Sequence, residues 1–215
     1  MTPVAARLLS LEGGEGAGKS TQARRLADAL ADRGVTAVVT REPGGSEGAE
    51  AIRALLMQGT ATRWSARTEA LLFAAARADH VERTIRPALA AGRWVIADRY
   101  LDSSRAYQGA AGDLDDAAIL ALHDFGAQGL LPDRTILLSL PETQGTARAS
   151  RRDGAAADRF AARDDAFHAR VGAAFAGFAR AEPDRFRTVD ASAGVAAVTD
   201  AILAQIADLL PGSSA

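Results

Sequence analysis

"LLSLEGGEGAGKST", residues 8–21, is the stretch whose reading decides the fold. An apolar run ends at Glu12, and Gly13, Gly14, Gly16 and Gly18 follow with Glu15 and Ala17 between them. Lys19-Ser20-Thr21 then opens an amphipathic pattern that reaches Arg33. Gly13-x-x-x-x-Gly18-Lys19-Ser20 matches the phosphate-binding P-loop in full, with a strand before it and a helix after it. The glycines let consecutive backbone N–H groups turn inward on phosphate oxygens at the positive end of the following helix. Lys19 is placed to reach β- and γ-phosphates, and the Ser20 hydroxyl to hold Mg²⁺. A glycine turn that merely ended a strand would have no use for Lys-Ser. Glu15 is the odd member, a carboxylate inside a loop built for anions.

Composition sets the bounds. The 215 residues are 48% hydrophobic and 24% charged, with a formal net charge of −2. That is ordinary for one globular domain, and it gives no support for a non-specific nucleic-acid or membrane-surface binder. There is no cysteine, so disulfide, thiol and Cys-metal chemistry are excluded. No run approaches the ~18 apolar residues of a membrane span, and the N-terminus reads as a buried strand, not a signal peptide. The expected location is the cytoplasm.

Working outward, near-continuous apolar runs at 7–12, 35–40, 94–98, 135–140 and 186–191 read as parallel strands covered on both faces. Helical patterns at 19–33, 66–91, 114–128, 158–181 and 195–210 lie between them. The expected fold is α/β, a five-stranded parallel sheet flanked by helices in three layers, as one domain over 1–215. No Asn-Lys-x-Asp base-reading motif of a GTPase is present. A compact chain with late arginines suits a small-molecule phosphoryl transferase, which needs positioning, Mg²⁺ and cations around the moving group.

Four further stretches carry chemistry. In "TREPGGS", 40–46, Arg41 ends a strand where such sheets bind ligands; the alternative is a surface ion pair with Glu42 or Glu47. In "WVIADRYLDSSRAYQG", 94–109, Asp98 closes an apolar strand as a Walker-type Mg²⁺ carboxylate, directly or through water, or else caps a helix. Arg99 beside it can clamp a phosphate, and Ser103, Tyr107 and Gln108 form a polar set, although Tyr107 could simply pack. Phe73 and Arg77 share a helix face that could hold a nucleobase, although Phe73 alone would suit a core; His80, three residues on, reads as a surface or half-buried structural histidine. Arg148, Arg151, Arg152, Arg159 and Arg163 mix with Asp153, Asp158, Asp164 and Asp165. Such a run is ordinarily a solvated face; beside a P-loop it is read as a mobile lid over about 148–163.

Together, "EGGEGAGKST", "TREPGGS", "LLFAAARADH", "ADRYLDSSRAYQG", "PDRTILLSL" and "DRFAARDDAFHARV" resemble the thymidylate kinase family in order and spacing over nearly the whole chain. The resemblance implies a nucleoside-monophosphate-kinase fold and transfer of the ATP γ-phosphate to dTMP, giving dTDP for dTTP synthesis. It places ATP on Gly13, Gly14, Glu15, Gly16, Ala17, Gly18, Lys19, Ser20 and Thr21, with Arg148 on adenine and Ala191 near the base. It gives Glu15 a purpose, the 3′-hydroxyl of dTMP. Arg41 and Arg99 would hold the dTMP phosphate, Phe73 stack on thymine and Arg77 bond its O4. Ser103 and Gln108 would line that site and Tyr107 exclude ribose.

Members with arginine at the Gly16 position take their transition-state cation from the loop. This chain therefore resembles the bacterial type, in which Arg151, Arg152 or Arg159 supplies it alongside Lys19 and Arg99. The resemblance also implies a homodimer through the 66–91 and 114–128 helices. Ser139, Ala161 and Phe175 depart from the family's usual residues. Two alternatives stay open: another P-loop nucleotide or deoxynucleoside kinase, and a P-loop regulatory ATPase.

Overall fold

The computed structural model describes residues 5–60, 62–141, 144, 145, 148, 160 and 163–211. Five strands, β1 Leu8–Glu12, β2 Ala37–Arg41, β3 Trp94–Asp98, β4 Arg134–Ser139 and β5 Phe186–Asp190, pair in parallel in the order β2-β3-β1-β4-β5. Each expected run is a strand. The central three run apolar because both faces are covered: every residue of β1 is buried. The order reverses about β1, so the loop after it opens on the crevice where such sheets take ligands. Register brings Leu11, Asp98 and Arg41 level at that C-terminal edge.

Residues of β1 alternate between the two cores. Leu9 and Leu11 pack with Leu26, Leu30, Trp94, Ile96 and Ile202 under α1, Lys19–Ala31, and a C-terminal helix, Val195–Gln205. Leu8 faces the other side with Val95, Ala97, Tyr100, Ile85 and Ile119. Each fully buried Leu or Ile contributes about 1.5–3 kcal/mol. A third cluster joins Tyr107, Phe160, Phe167, Phe175 and Phe186 along the edge of the crevice. Phe175, one of the departures from the family's usual residues, is a core side chain there.

The helices differ from expectation in instructive ways. Residues 47–57 form an unforeseen helix, α2 Glu47–Met57, whose Ser46 N-cap accepts from the Ala49 N–H. The long helix 66–91 is α3 Ala66–His80, a π-helical turn Val81–Ile85, and α4 Arg86–Ala90. Pro87 explains the break: it has no N–H to give and its ring crowds the carbonyl four residues back, so the turn before it widens. After β3 come a short α5, Leu101–Ser104, and a second π-helical turn, Arg105–Ala110. Then follow α6 Asp116–Ala127 and α7 Asp165–Ala181. The last begins late, within the expected 158–181, because Asp164 caps it by accepting from the Phe167 N–H. The C-terminal helix, α8, ends in a 3₁₀ turn, Ala207–Leu209.

Candidate active site

The loop after β1 curls as its glycines allow. Gly13, Gly16 and Gly18 all have positive φ, and Gly18 is the N-cap of α1. A Cβ at Gly13 would run into the Leu138 carbonyl, so only glycine fits there. Lys19 lies back along the loop and its Nζ donates to the Gly13 and Gly14 carbonyls at 3.0 and 2.7 Å. Burial, then the nearby Arg99, pulls the amine down to about 7, against the upward pull of Asp98, Glu12 and Glu15. An ammonium so poorly compensated by protein is a receptor for added negative charge.

Across the crevice, the Ser20 hydroxyl donates to the Asp98 carboxylate at 2.5 Å. Arg99, the next residue, adopts φ 69°, a conformation costing a non-glycine residue on the order of 1–3 kcal/mol. That turn aims its guanidinium at the Gly13 carbonyl, the Ser103 hydroxyl and the Tyr107 hydroxyl, at 3.1–3.3 Å, and stacks it over the Tyr107 ring. Beneath them Glu12 is wholly buried, accepting from the backbone of Tyr100 and Ser103 and from the Ser103 hydroxyl at 2.6 Å. Burial, then the charge of Asp102, pushes this carboxyl up to about 7; the Ser103 and Tyr100 bonds and Arg99 oppose the shift.

The far end of the crevice is aromatic and directional. Phe73 meets Phe160 edge-on at 5.7 Å, and Tyr107 meets Phe160 at 6.4 Å. Arg77 is buried, with Nε on Glu42 at 2.7 Å and Nη2 on the Tyr100 carbonyl and Ser104 hydroxyl. Burial alone would raise the Glu42 carboxyl, but Arg77 and His80 outweigh it and hold it below the usual carboxylate range. His80 is fully buried between Glu42 and Thr40. The expectation of a surface or half-buried histidine is corrected: α3 turns this side into the sheet, where the ring bridges a buried acid and a strand hydroxyl.

One cavity of about 450 Å³ joins both ends. It is lined by Glu15, Arg41, Phe73, Arg77, Arg99, Ser103, Tyr107 and Gln108, together with Lys19, Ser20 and Asp98. A loop that can hold phosphate thus shares one cavity with an aromatic slot that carries a fixed cation.

The sequence model of the family described as thymidylate kinase matches residues 11–202. The chain belongs to the thymidylate kinase family. It is 58% identical over 205 residues to the thymidylate kinase of Rhizorhabdus wittichii, covering 95% of this chain and 99% of that one. It is 55% identical over 194 residues to that of Caulobacter vibrioides, covering 90% and 92%. In structure it is similar to the thymidylate kinase of Ehrlichia chaffeensis: TM-score 0.76 at 26% identity, covering 94% and 99%.

Against what the thymidylate kinase resemblance implied, all eight side chains assigned to dTMP line the one cavity. Arg41 does so while paired with Glu50 of α2, neither of the two partners foreseen for it. Arg148 donates to the Ala191 carbonyl at 3.1 Å, joining the two residues assigned to adenine. Arg151, Arg152 and Arg159 lie outside the described residues. At Gly16 a Cβ would strike the Gly145 carbonyl, so as packed here this loop has no room for a side chain, let alone an arginine. Sequence reasoning missed the buried acids Glu12, Glu42 and Glu69, and also Phe160. Glu12 carried a usable signal, an acid closing an apolar strand at the sheet's ligand edge. Glu42 and Glu69 carried none, since their roles lie in partners distant in sequence.

Proposed function

We propose that this chain transfers the γ-phosphate of ATP to the 5′-phosphate of dTMP, giving dTDP and ADP for dTTP synthesis. The observation that carries the reading is the single cavity with the Lys19 loop at one end and the Phe73–Arg77 face at the other. A regulatory ATPase would need no second nucleotide slot and no Glu15 on its wall.

ATP lies along the loop, its phosphates taking the backbone N–H groups, Lys19 and the hydroxyls of Ser20 and Thr21. Arg148 and Ala191 lie at adenine. The dTMP phosphate is held by Arg41 and Arg99, its 3′-hydroxyl by Glu15, and its ring between Phe73 and the Tyr107 side of the slot. Tyr107 crowds the 2′ position. A dTMP phosphate oxygen then attacks the γ-phosphorus in line, the bond to the β-phosphate oxygen breaks, and ADP leaves. The nucleophile is already anionic, so positioning and charge neutralisation are what the protein must supply. Arg151, Arg152 or Arg159 brings the further cation as the lid closes and excludes water.

The donor set fits Mg²⁺: a hydroxyl and a carboxylate, both hard oxygen ligands, touching beside the phosphate loop. Ser20 and Asp98 would hold the ion, directly or through water. When bound it neutralises charge on the β- and γ-phosphate oxygens. Two copies of the chain pair through α3 and α6, whose Leu71 and Phe125 side chains stand exposed at 56% and 92%. Among the described residues no helix is long and apolar enough to cross a membrane, and the proposed setting is the cytoplasm.

The test is coupled ADP release with ATP and Mg²⁺ against dTMP, dUMP, dCMP, UMP, AMP and thymidine. Strong dependence on dTMP is expected, with dUMP weaker and ribonucleotides poor. Preference for thymidine would move the chain to the nucleoside kinases, and indifference to every acceptor would remove the dTMP site.

A further inference from the structure

Glu69 opens the face of α3 that continues through Phe73 and Arg77, one turn apart each time. An acid in a helix's first turn is ordinary on an exposed face, where it complements the dipole. Glu69 is not on such a face: it is 5% exposed. It does not line the cavity, yet it touches a residue that does. Gln108 donates from Nε2 to Glu69 Oε1 at 2.9 Å, and Gln108 is itself only 2% exposed.

That contact has a chemical consequence. A primary amide presents two donors on one side and an acceptor on the other, and only its surroundings decide which faces where. A carboxylate accepts only, so it binds the NH₂ side. The Gln108 carbonyl oxygen, which has no hydrogen bond to any described residue, is left for whatever enters the cavity. The Arg163 guanidinium lies 3.6 Å from the other oxygen of the same carboxylate, Glu69 Oε2. Glu42 does the matching job for Arg77. With Nε on Glu42 and Nη2 on Tyr100 and Ser104, Nη1 remains the nitrogen without a partner among the described residues.

We propose that Glu69 is a positioning residue for base choice: it holds the Gln108 amide with its oxygen toward the cavity. This rests on the reading of the slot as the dTMP base site. The slot then offers a donor from Arg77 beside an acceptor from Gln108. The Watson–Crick edge of thymine offers O4 as acceptor beside N3–H as donor, the complement. The edge of 5-methylcytosine, which has the same shape, reverses both signs and leaves buried groups facing like against like. Exclusion of the cytosine edge is thus fixed by a residue that meets no substrate.

The experiment is calorimetric binding of dTMP and of 5-methyl-dCMP to the full chain and to Glu69→Gln, with ATP kinetics alongside. A glutamine at 69 both donates and accepts, so it releases the Gln108 amide to turn over. Expected are an approximately tenfold weaker dTMP affinity and a dTMP-over-5-methyl-dCMP ratio that narrows by about tenfold or more, with the KM for ATP unchanged. Glu69→Asp, still an acceptor only, should keep the ratio near that of the unaltered protein. A purely structural role would weaken both ligands together and leave the ratio untouched, which would overturn the proposal. No preference for dTMP in the unaltered protein would instead overturn the base-site reading itself. Should Glu69→Gln not fold, NMR of the Gln108 Nε2 protons in the unaltered protein decides. One downfield, exchange-protected proton, with and without dTMP, is expected; a freely averaging pair overturns the proposal.

Discussion

The Ser20 hydroxyl and the Asp98 carboxylate meet at 2.5 Å although 78 positions separate them in the chain. Parallel pairing makes this possible: β1 and β3 are neighbours, and Leu11 sits opposite Asp98. The first residues after the glycine loop therefore face the last residue of β3. One strand pairing puts the glycine loop, the Asp98 carboxylate and Arg99 within reach of each other. The strained backbone at Arg99 belongs to the same corner, and strain of that kind persists where the surroundings over-determine it.

Asp98→Asn keeps the shape of this corner and removes its charge. The expected result is a turnover reduced about 100-fold and a rise in the Mg²⁺ concentration needed for half-maximal rate, because an amide oxygen is a poorer ligand for a hard cation. Initial rates over a Mg²⁺ titration at saturating ATP and dTMP check it. An unchanged half-saturation point would show that Asp98 serves the fold alone.

Lys19→Met should lower turnover by two or more orders of magnitude while the protein stays folded. The folded-state amine sits near 7 and the unfolded one near 10.5, so between those values the unfolded chain binds the extra proton. Stability of the unaltered protein therefore rises with pH across that window, and below 7 it carries the full cost of the buried ammonium. Thermal melts should find Lys19→Met the more stable of the two near pH 6, with the gap closing toward pH 10. A constant gap would contradict the burial of this charge.

The phosphate end was legible because its demands are local. Four glycines, a lysine and a serine fall within the eight positions 13–20, and nothing distant can substitute for them. The strands were legible because covering both faces writes an apolar run into the sequence. Helix α2 was not, since Gly48 and scattered alanines blur its period and only the Ser46 cap and Glu47 announce it. With α2 unread, Glu50 could not be seen as the partner of Arg41. The same holds for Glu12 with Ser103, Glu42 with Arg77 and Glu69 with Gln108: each acid is a single letter whose meaning is a residue 91, 35 or 39 positions away.

Glu12 gives a pH signature of the opposite sign to that of Lys19. Its carboxyl is raised from 4.5 to about 7, so the folded protein keeps a proton that the unfolded chain loses in that interval. The stabilisation linked to that proton is complete below 4.5 and is lost as pH rises through 7. Glu12→Gln never ionises and escapes the loss. Its stability relative to the unaltered protein, followed by thermal melts, should climb from pH 4.5 to 7 by up to about 3 kcal/mol and then level off. A difference that falls over this range would mean the carboxylate is well compensated where it lies.

Phe125 is 92% exposed on α6. Phe125→Glu should leave the melting temperature of a monomer nearly unchanged, since exposed substitutions cost within about 0.5 kcal/mol. In the proposed homodimer it would bury an unpaired charge against the partner copy. Light scattering behind a sizing column is expected to show the dimer mass for the unaltered chain and the monomer mass for the variant. A variant still dimeric would move the interface off this face.

Gly16 separates two ways of supplying the transition-state cation. Its φ of 67° suits glycine, and any Cβ there would strike the Gly145 carbonyl. Gly145 in turn has no room on the other side, because a Cβ on it would press against the Glu15 carbonyl at 2.7 Å. The two backbones are in mutual contact, the loop against Gly145, three residues before the arginine segment opens at Arg148. Gly16→Arg therefore does not add a cation to this site; it pushes the segment away and with it the arginines proposed to close over ATP. The expected outcome is a loss of turnover of about tenfold or more, with dTMP affinity little changed because Arg41, Phe73 and Arg77 are untouched. Gly16→Ala, which adds one methyl and no charge, should fall in the same direction by a smaller step. Single-turnover rates at saturating nucleotides, with dTMP binding measured separately, distinguish this from a loss of substrate. Should Gly16→Arg instead raise turnover, the loop can take over the cation's role, and the assignment of that role to Arg151, Arg152 or Arg159 fails.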